Sequence, residues 1–118
     1  MENRQNPLLN KSYQFSLSIL DFCYSLQDDY KEFILSKQLL RSGTAIGALS
    51  EEAQQAESKP DFIHKLSIAN KEAHESHYWL RLLRDCNRFD VEVAELIDHC
   101  DELKRLLVSI IKSAKKSK

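Results

Sequence analysis

Leu35-Ser36-Lys37-Gln38-Leu39-Leu40-Arg41-Ser42-Gly43-Thr44-Ala45-Ile46-Gly47-Ala48-Leu49-Ser50-Glu51-Glu52-Ala53 decides the fold. Leu35, Leu39, Ser42, Ile46, Leu49 and Ala53 recur at alternating steps of four and three, which keeps one stripe on one face of an α-helix. A seven-residue repeat of this kind makes a seam that packs at about 20° to a neighbouring helix. Gly43 and Gly47 lie beside the seam, each costing roughly 1 kcal/mol relative to Ala in a helix interior. With Ser50 they form a small face that lets a second backbone approach, and close helix packing offsets the cost. A ligand-contact surface is the alternative role for the two glycines.

The same rule continues downstream. Phe62, Leu66, Ala69, Ala73, Ser76, Leu80 and Leu83 form one stripe, and Val93, Leu96, Cys100, Leu103, Leu107, Ile110 and Ala114 another. Four helices are expected, over about 6–27, 31–57, 60–87 and 90–113, with a basic tail at 112–118. Asp28-Asp29-Tyr30 is the first break; Ser58-Lys59-Pro60-Asp61 reads as a cap with Pro in the first turn; Asp90 is expected to cap the fourth helix. Short connections force neighbours to run in opposite directions. The expectation is one all-α domain spanning 1–118, an antiparallel up-down-up-down four-helix bundle.

Composition agrees. A chain of 118 residues, 30% charged and 42% hydrophobic with two Gly and two Pro, is neither disordered nor a disulfide scaffold. No apolar run reaches the roughly 18 residues of a membrane span, and Met1 to Pro7 hold no signal-peptide core. A cytosolic protein without membrane contact is expected. Cys23, Cys86 and Cys100 have the spacing of neither a zinc pair nor a redox motif; they read as buried small hydrophobes.

The first helix carries two apolar stripes. Tyr13, Leu17, Leu20 and Tyr24 form one; Phe15, Ile19, Phe22 and Leu26 form the other, nearly opposite. A four-helix core buries one side of each helix. The second stripe, rich in Phe and Ile, is therefore the expected oligomer interface, since left exposed it would be adhesive. One wide buried face is the alternative.

Catalytic chemistry finds no support. The chain has Asp61-x-x-His64, Glu72-x-x-Glu75 and Glu95-x-x-x-His99 but no Glu-x-x-His, and its seams hold no carboxylates, so a di-iron site is not expected. His74 and His77 are three apart, and solvent exposure is their expected state. No nucleophile elbow, Gly-rich phosphate loop or dinucleotide fingerprint occurs. Neither a cofactor nor a small-molecule substrate is indicated, and the expectation is a non-enzyme.

Charge is distributed unevenly. Beyond Glu102 there are cations alone among the ionisable residues: Lys104, Arg105, Lys112, Lys115, Lys116 and Lys118. Arg81, Arg84 and Arg88 end the third helix. In a bundle the first group is expected to meet Glu51, Glu52 and Glu57, and the second Asp28, Asp29 and Glu32, in mutual neutralisation. The functional alternative makes Arg81, Arg84, Arg88, Lys112, Lys115, Lys116 and Lys118 candidate nucleic-acid contacts, with Tyr30, Tyr78 and Trp79 as stacking surfaces. The net charge of −1 argues against a generic polyanion binder.

Leu39 to Ala48, then Glu51-Glu52-Ala53, Ser58-Lys59-Pro60-Asp61-Phe62, Lys65-Leu66-Ser67-Ile68-Ala69, Lys71-Glu72-Ala73, Glu75 and Tyr78-Trp79-Leu80 together resemble the signature of the 23S rRNA intervening-sequence protein family. The resemblance implies a ring-shaped homopentamer of four-helix bundles with no enzymatic activity. It also relates the chain to the accessory variability determinant of diversity-generating retroelements, which binds nucleic acid. RNA or a ribonucleoprotein is thus the expected partner beside the chain itself; a purely protein-binding scaffold is the alternative. Where the family usually has Ser-Ile-Gly-Ala-Asn-Ile, this chain reads Ala45-Ile46-Gly47-Ala48-Leu49-Ser50, so the Asn of the seam is replaced by Leu49.

Overall fold

The computed structural model describes residues 6–117. Four helices account for most of them: α1 (Pro7–Tyr30), α2 (Leu35–Ala53), α3 (Lys59–Asp85) and α4 (Ala94–Lys116). Among the described residues there is no strand, and no helix is long and apolar enough to cross a membrane.

Each start and stop has a local cause. Asn6 caps α1, its Oδ1 accepting from the Leu9 N–H at 3.2 Å, with Pro7 in the first turn. Ser58 does the same for α3 through the Asp61 N–H, also at 3.2 Å, and Asp61 places its charge at the positive end of the dipole. The cap of α2 comes from Glu32. Its Oε2 accepts from Ile34 and Leu35, and its Oε1 from the Ser36 N–H at 2.8 Å. Burial pushes this carboxyl up, but the donated N–H groups of Leu35, Ser36 and Ile34 outweigh that and leave it below the usual carboxylate range.

Three expected boundaries move. Asp28, Asp29 and Tyr30 belong to α1, and the chain turns at Lys31, whose φ of 55° is left-handed. A non-glycine residue there gives no warning in the sequence. At the far end of α2 the helix stops at Ala53, and Gln54 and Gln55 form a turn. Asp90 does not cap α4: the helix begins at Ala94, after a buried Val93 with no side-chain cap. Tyr30 holds the Asp90 backbone instead, its hydroxyl accepting from the Asp90 N–H at 2.9 Å and lying 3.3 Å from the Asp90 carbonyl.

Each helix packs against two others: α1 with α2 and α4, α3 with α2 and α4. Contacts pair early residues of one helix with late residues of the next. Ser12 and Ser16 face Gly47, Ile19 faces Gly43, and Gln27 donates to Ser36. Between α2 and α3, Ser76 donates to Ser42 at 2.8 Å while Lys65 pairs with Glu52. Leu39, Ile46, Leu66, Leu80, Leu103 and Leu107 are fully buried in the shared core. Leu49 packs partly buried against it, and Ser50 is buried with its hydroxyl donating to the Ile46 carbonyl.

The assignment of the two α1 stripes is reversed. Phe15 (1% exposed), Ile19 (0%) and Leu26 (2%) are inside the protomer core, with Phe22 packed against it. Such side chains are not available to a partner. The outward stripe is Tyr13, Leu17, Leu20 and Tyr24, each 43–59% exposed. The cause is partly α2: an ideal Cβ on Gly43 would come within 2.9 Å of Ile19 Cγ2, so the missing side chain makes room for Ile19. Two tyrosines keep their hydroxyls in water on the other side.

Candidate nucleic-acid interface

Because Cys100, Leu103 and Leu107 point into the core, the 100° step of an α-helix sends Lys104 and Val108 toward α3, with Lys112, Arg105 and Ser109 beyond them on the outward side. With His74 of α3 these residues line an open groove of about 540 Å³. Lys71, His74, Tyr78 and Arg81 are exposed along the outer side of α3. Val108 is 38% exposed and Tyr78 48%.

One edge of the groove is electrostatically fixed. Asp101 lies 3.3 Å from His77 Nε2 and 3.5 Å from Lys104 Nζ. Burial, then the Lys104 charge, push the His77 imidazole below its ordinary value, while Asp101 pulls the other way; the ring is held toward its neutral form. Arg105, Lys112, Lys115 and Lys116 have no carboxylate within ion-pair distance among the described residues. Outside the groove lining, on α3, the Arg81 guanidinium sits 5.8 Å from the Tyr78 ring centroid, and Trp79 meets the same ring edge-on at 5.2 Å.

Arg84 and Arg88 do not join the α4 cations in one surface. Lys59 donates to the Ser117 carbonyl at one end of the α3–α4 pair, while α3 finishes with Arg84 at the other. Arg84 is bound to the neighbouring Asp85 at 2.7 Å. Arg88 lines a separate opening with Tyr30, Glu32, Phe33 and Phe89. Lys118 lies outside the described residues. The expected pairing of the α4 tail with Glu51, Glu52 and Glu57 is absent among the described residues, because α2 and α4 do not touch; Glu52 pairs with Lys65 instead. Among the described residues, neither Arg81, Arg84 nor Arg88 forms an ion pair with Asp28, Asp29 or Glu32. His74, Lys104 and Arg105 line the groove although the charge runs alone do not point to them as contacts. The phase of α4 about its Cys100-Leu103-Leu107 seam was the available signal.

The quoted motif residues meet across α2 and α3. Arg41 bridges Glu72, at 3.1 Å, and Glu75, whose Oε2 also accepts from the Trp79 indole at 3.0 Å. Trp79 first, then Arg41, hold the Glu75 carboxyl below its usual range against the effect of burial. This is a clamp between helices, and it occupies Trp79. Tyr30 is likewise occupied by Asp90 and by edge-on packing with Phe89 at 5.2 Å. Of the three expected stacking rings, Tyr78 alone has its polar atom free of a hydrogen bond among the described residues. Burial lifts the Cys23 and Cys100 thiols to about 12, and Glu32 adds to the effect at Cys23, so both are poor nucleophiles and poor metal ligands. No group of three metal-ligating side chains occurs among the described residues.

Comparison with known proteins agrees with this architecture. A protein of unknown function from the S23 ribosomal protein family, from Bacteroides thetaiotaomicron, has a solved structure that superposes with a TM-score of 0.86. The two are 45% identical over 89% of this chain and 98% of that one. No curated protein matches. The profile of the 23S rRNA-intervening sequence proteins matches residues 4–109, nearly the whole length, and the chain belongs to that family.

Proposed function

We propose that the chain is a non-enzymatic interaction module that works as a cytosolic homo-oligomer, its protomer an antiparallel up-down-up-down bundle and its assembly a ring. The opposed pairing of Ser12, Ile19 and Gln27 with Gly47, Gly43 and Ser36 supports the bundle. A homopentamer is the stoichiometry that family resemblance favours.

The observation that carries the assembly is the outward stripe of α1. Tyr13, Leu17, Leu20 and Tyr24 follow one another at steps of four, three and four and are all exposed in the isolated protomer. A contiguous apolar row of this size is the mark of a protein interface. Size exclusion with light scattering tests it. Wild type is expected near five protomer masses, and Leu17→Glu with Leu20→Glu is expected to lower the mass toward one protomer with helicity kept. An unchanged mass in that variant overturns this interface.

The partner we favour is RNA or a ribonucleoprotein, because Arg105, Lys112, Lys115 and Lys116 of α4 are left without carboxylates among the described residues. A protein scaffold indifferent to nucleic acid is the second reading. Its support is the α1–α2 connection, where Phe33 and Ile34 are 45% and 78% exposed. Nucleic acid retained at low salt, seen in the absorbance ratio of the same eluate, supports the first reading; a clean oligomer that captures only protein supports the second.

A further inference from the structure

We infer that the α3–α4 groove and the helix turns that continue it hold a single-stranded nucleic acid, its phosphates on Arg105 and Lys112 in the groove and on Lys115 and Lys116 beyond it, and one base on Tyr78. This rests on the RNA reading above and names its site and the form of the strand.

The cations run along one helix. At 1.5 Å per residue, Arg105 and Lys112 stand roughly 10 Å apart along the axis, and Lys116 follows about 6 Å further. No acid interrupts them between Glu102 and the end of α4. Lys104 is the exception in state, its charge shared with Asp101. Such a row is a track for a backbone, which a small anion would not need. Unpaired surface cations lose counterions when they meet phosphates, and that release drives binding.

The floor and rim select the form. Val108 lies among the groove-lining cations, and Tyr78 follows the groove-lining His74 by one turn of α3; both are substantially exposed. A duplex keeps its bases stacked inside and would offer these surfaces only sugar and phosphate. A single strand offers free base faces, and stacking on an aromatic ring works for any base. Arg81 over the Tyr78 ring adds a second planar cation beside that position. A polycarboxylate would satisfy the lysines but gain nothing from Tyr78.

The groove is also free of the proposed assembly surface. Ser16 faces Gly47 of α2, and Tyr13 and Leu20 lie one turn either side of Ser16. The apolar stripe therefore borders α2, while α1 and α3 do not touch.

The test is anisotropy of a labelled 20-nucleotide oligouridine on the assembled protein, with an RNA duplex of equal length, polyphosphate and polyglutamate as competitors. Four neutralised phosphates give a log–log salt slope of about −3, an affinity loss of roughly fifty-fold between 50 and 200 mM salt. Arg105→Glu with Lys112→Glu should weaken oligouridine at least tenfold and flatten the slope by about 1.4. Tyr78→Ala should cost on the order of tenfold for oligouridine, nothing for polyphosphate, and Tyr78→Phe should restore it. Oligouridine bound as well by the charge-reversed variant overturns the groove and leaves the RNA reading standing. No RNA bound by wild type at low salt overturns both. Duplex or polyglutamate competing as well as oligouridine, or Tyr78→Ala without effect, overturns the single-strand assignment.

Discussion

Replacing Gly43 by alanine isolates the contact that sorts the two faces of α1. In an exposed helix interior the change would stabilise by roughly 1 kcal/mol. Here the new methyl would meet Ile19 Cγ2 at 2.9 Å, Cγ1 at 3.0 Å and Cβ at 3.4 Å. Those atoms belong to a β-branched side chain that is 0% exposed, so it cannot swing away cheaply. Overpacking of this kind costs about 1–3 kcal/mol, which leaves Gly43→Ala between neutral and about 2 kcal/mol destabilising. Ile19→Ala alone should cost about 2–5 kcal/mol through the cavity it leaves. In the Ile19→Ala background the obstructing γ-carbons are gone, and Gly43→Ala should recover its helix-propensity gain of about 1 kcal/mol. The coupling between the two sites is then about 1–3 kcal/mol. Urea unfolding of the four proteins, followed by circular dichroism at one protomer concentration, measures it. Gly43→Ala stabilising wild type by about 1 kcal/mol, with no coupling to Ile19, would refute the claim that close approach holds this glycine.

Two further predictions concern the helix ends. Glu32→Gln should cost about 1 kcal/mol at neutral pH by weakening the α2 cap. Because the folded pKa of Glu32 lies below its ordinary value of 4.5, the stabilisation is complete above about that pH and fades as pH falls through the lowered value; the variant should lack this part of the acid limb. Tyr30→Phe should destabilise by about 1 kcal/mol and raise amide exchange at Asp90, because the hydroxyl that accepts its N–H is lost; unchanged exchange would detach Tyr30 from the α3–α4 connection.

The seams of α2, α3 and α4 were legible because each buries a single side of a helix, and a period of about 3.5 leaves little choice over roughly 20 residues. Where two stripes competed, residue type misled. Phe15 and Ile19 read as adhesive in the sequence, yet that same apolarity takes them into the core, where Gly43 leaves a place for Ile19. The first turn is not legible in the sequence because Lys31 adopts a left-handed φ that glycine usually marks. The cap of α4 was misplaced for a tertiary reason: Asp90 is a good N-cap residue, but Tyr30, sixty residues away, takes its N–H. The groove was half legible. A run of cations is visible in one dimension, but their sorting between α3 and the solvent depends on the phase of α4.

That sorting bears on how a chain of net charge −1 could carry the proposed phosphate-binding surface at all. Net charge averages over faces, and contact averages over almost nothing. Arg41, Lys11 and Lys65 commit their charges to Glu72 and Glu75, Glu102 and Glu52, joining one helix to the next. Arg105, Lys112, Lys115 and Lys116 join nothing among the described residues, since α4 packs on α1 and α3 and does not touch α2, which carries Glu51 and Glu52. The proposed ring, built through α1, would leave the acid-free end of α4 open on every protomer and repeat it around the assembly. Weak single grooves then act together, because a strand held by one protomer is at high effective concentration for the next. The apolar stripe and the cationic row are thus two parts of one proposal: the first supplies the repetition without which the second, on a slightly acidic protomer, would bind too weakly to matter.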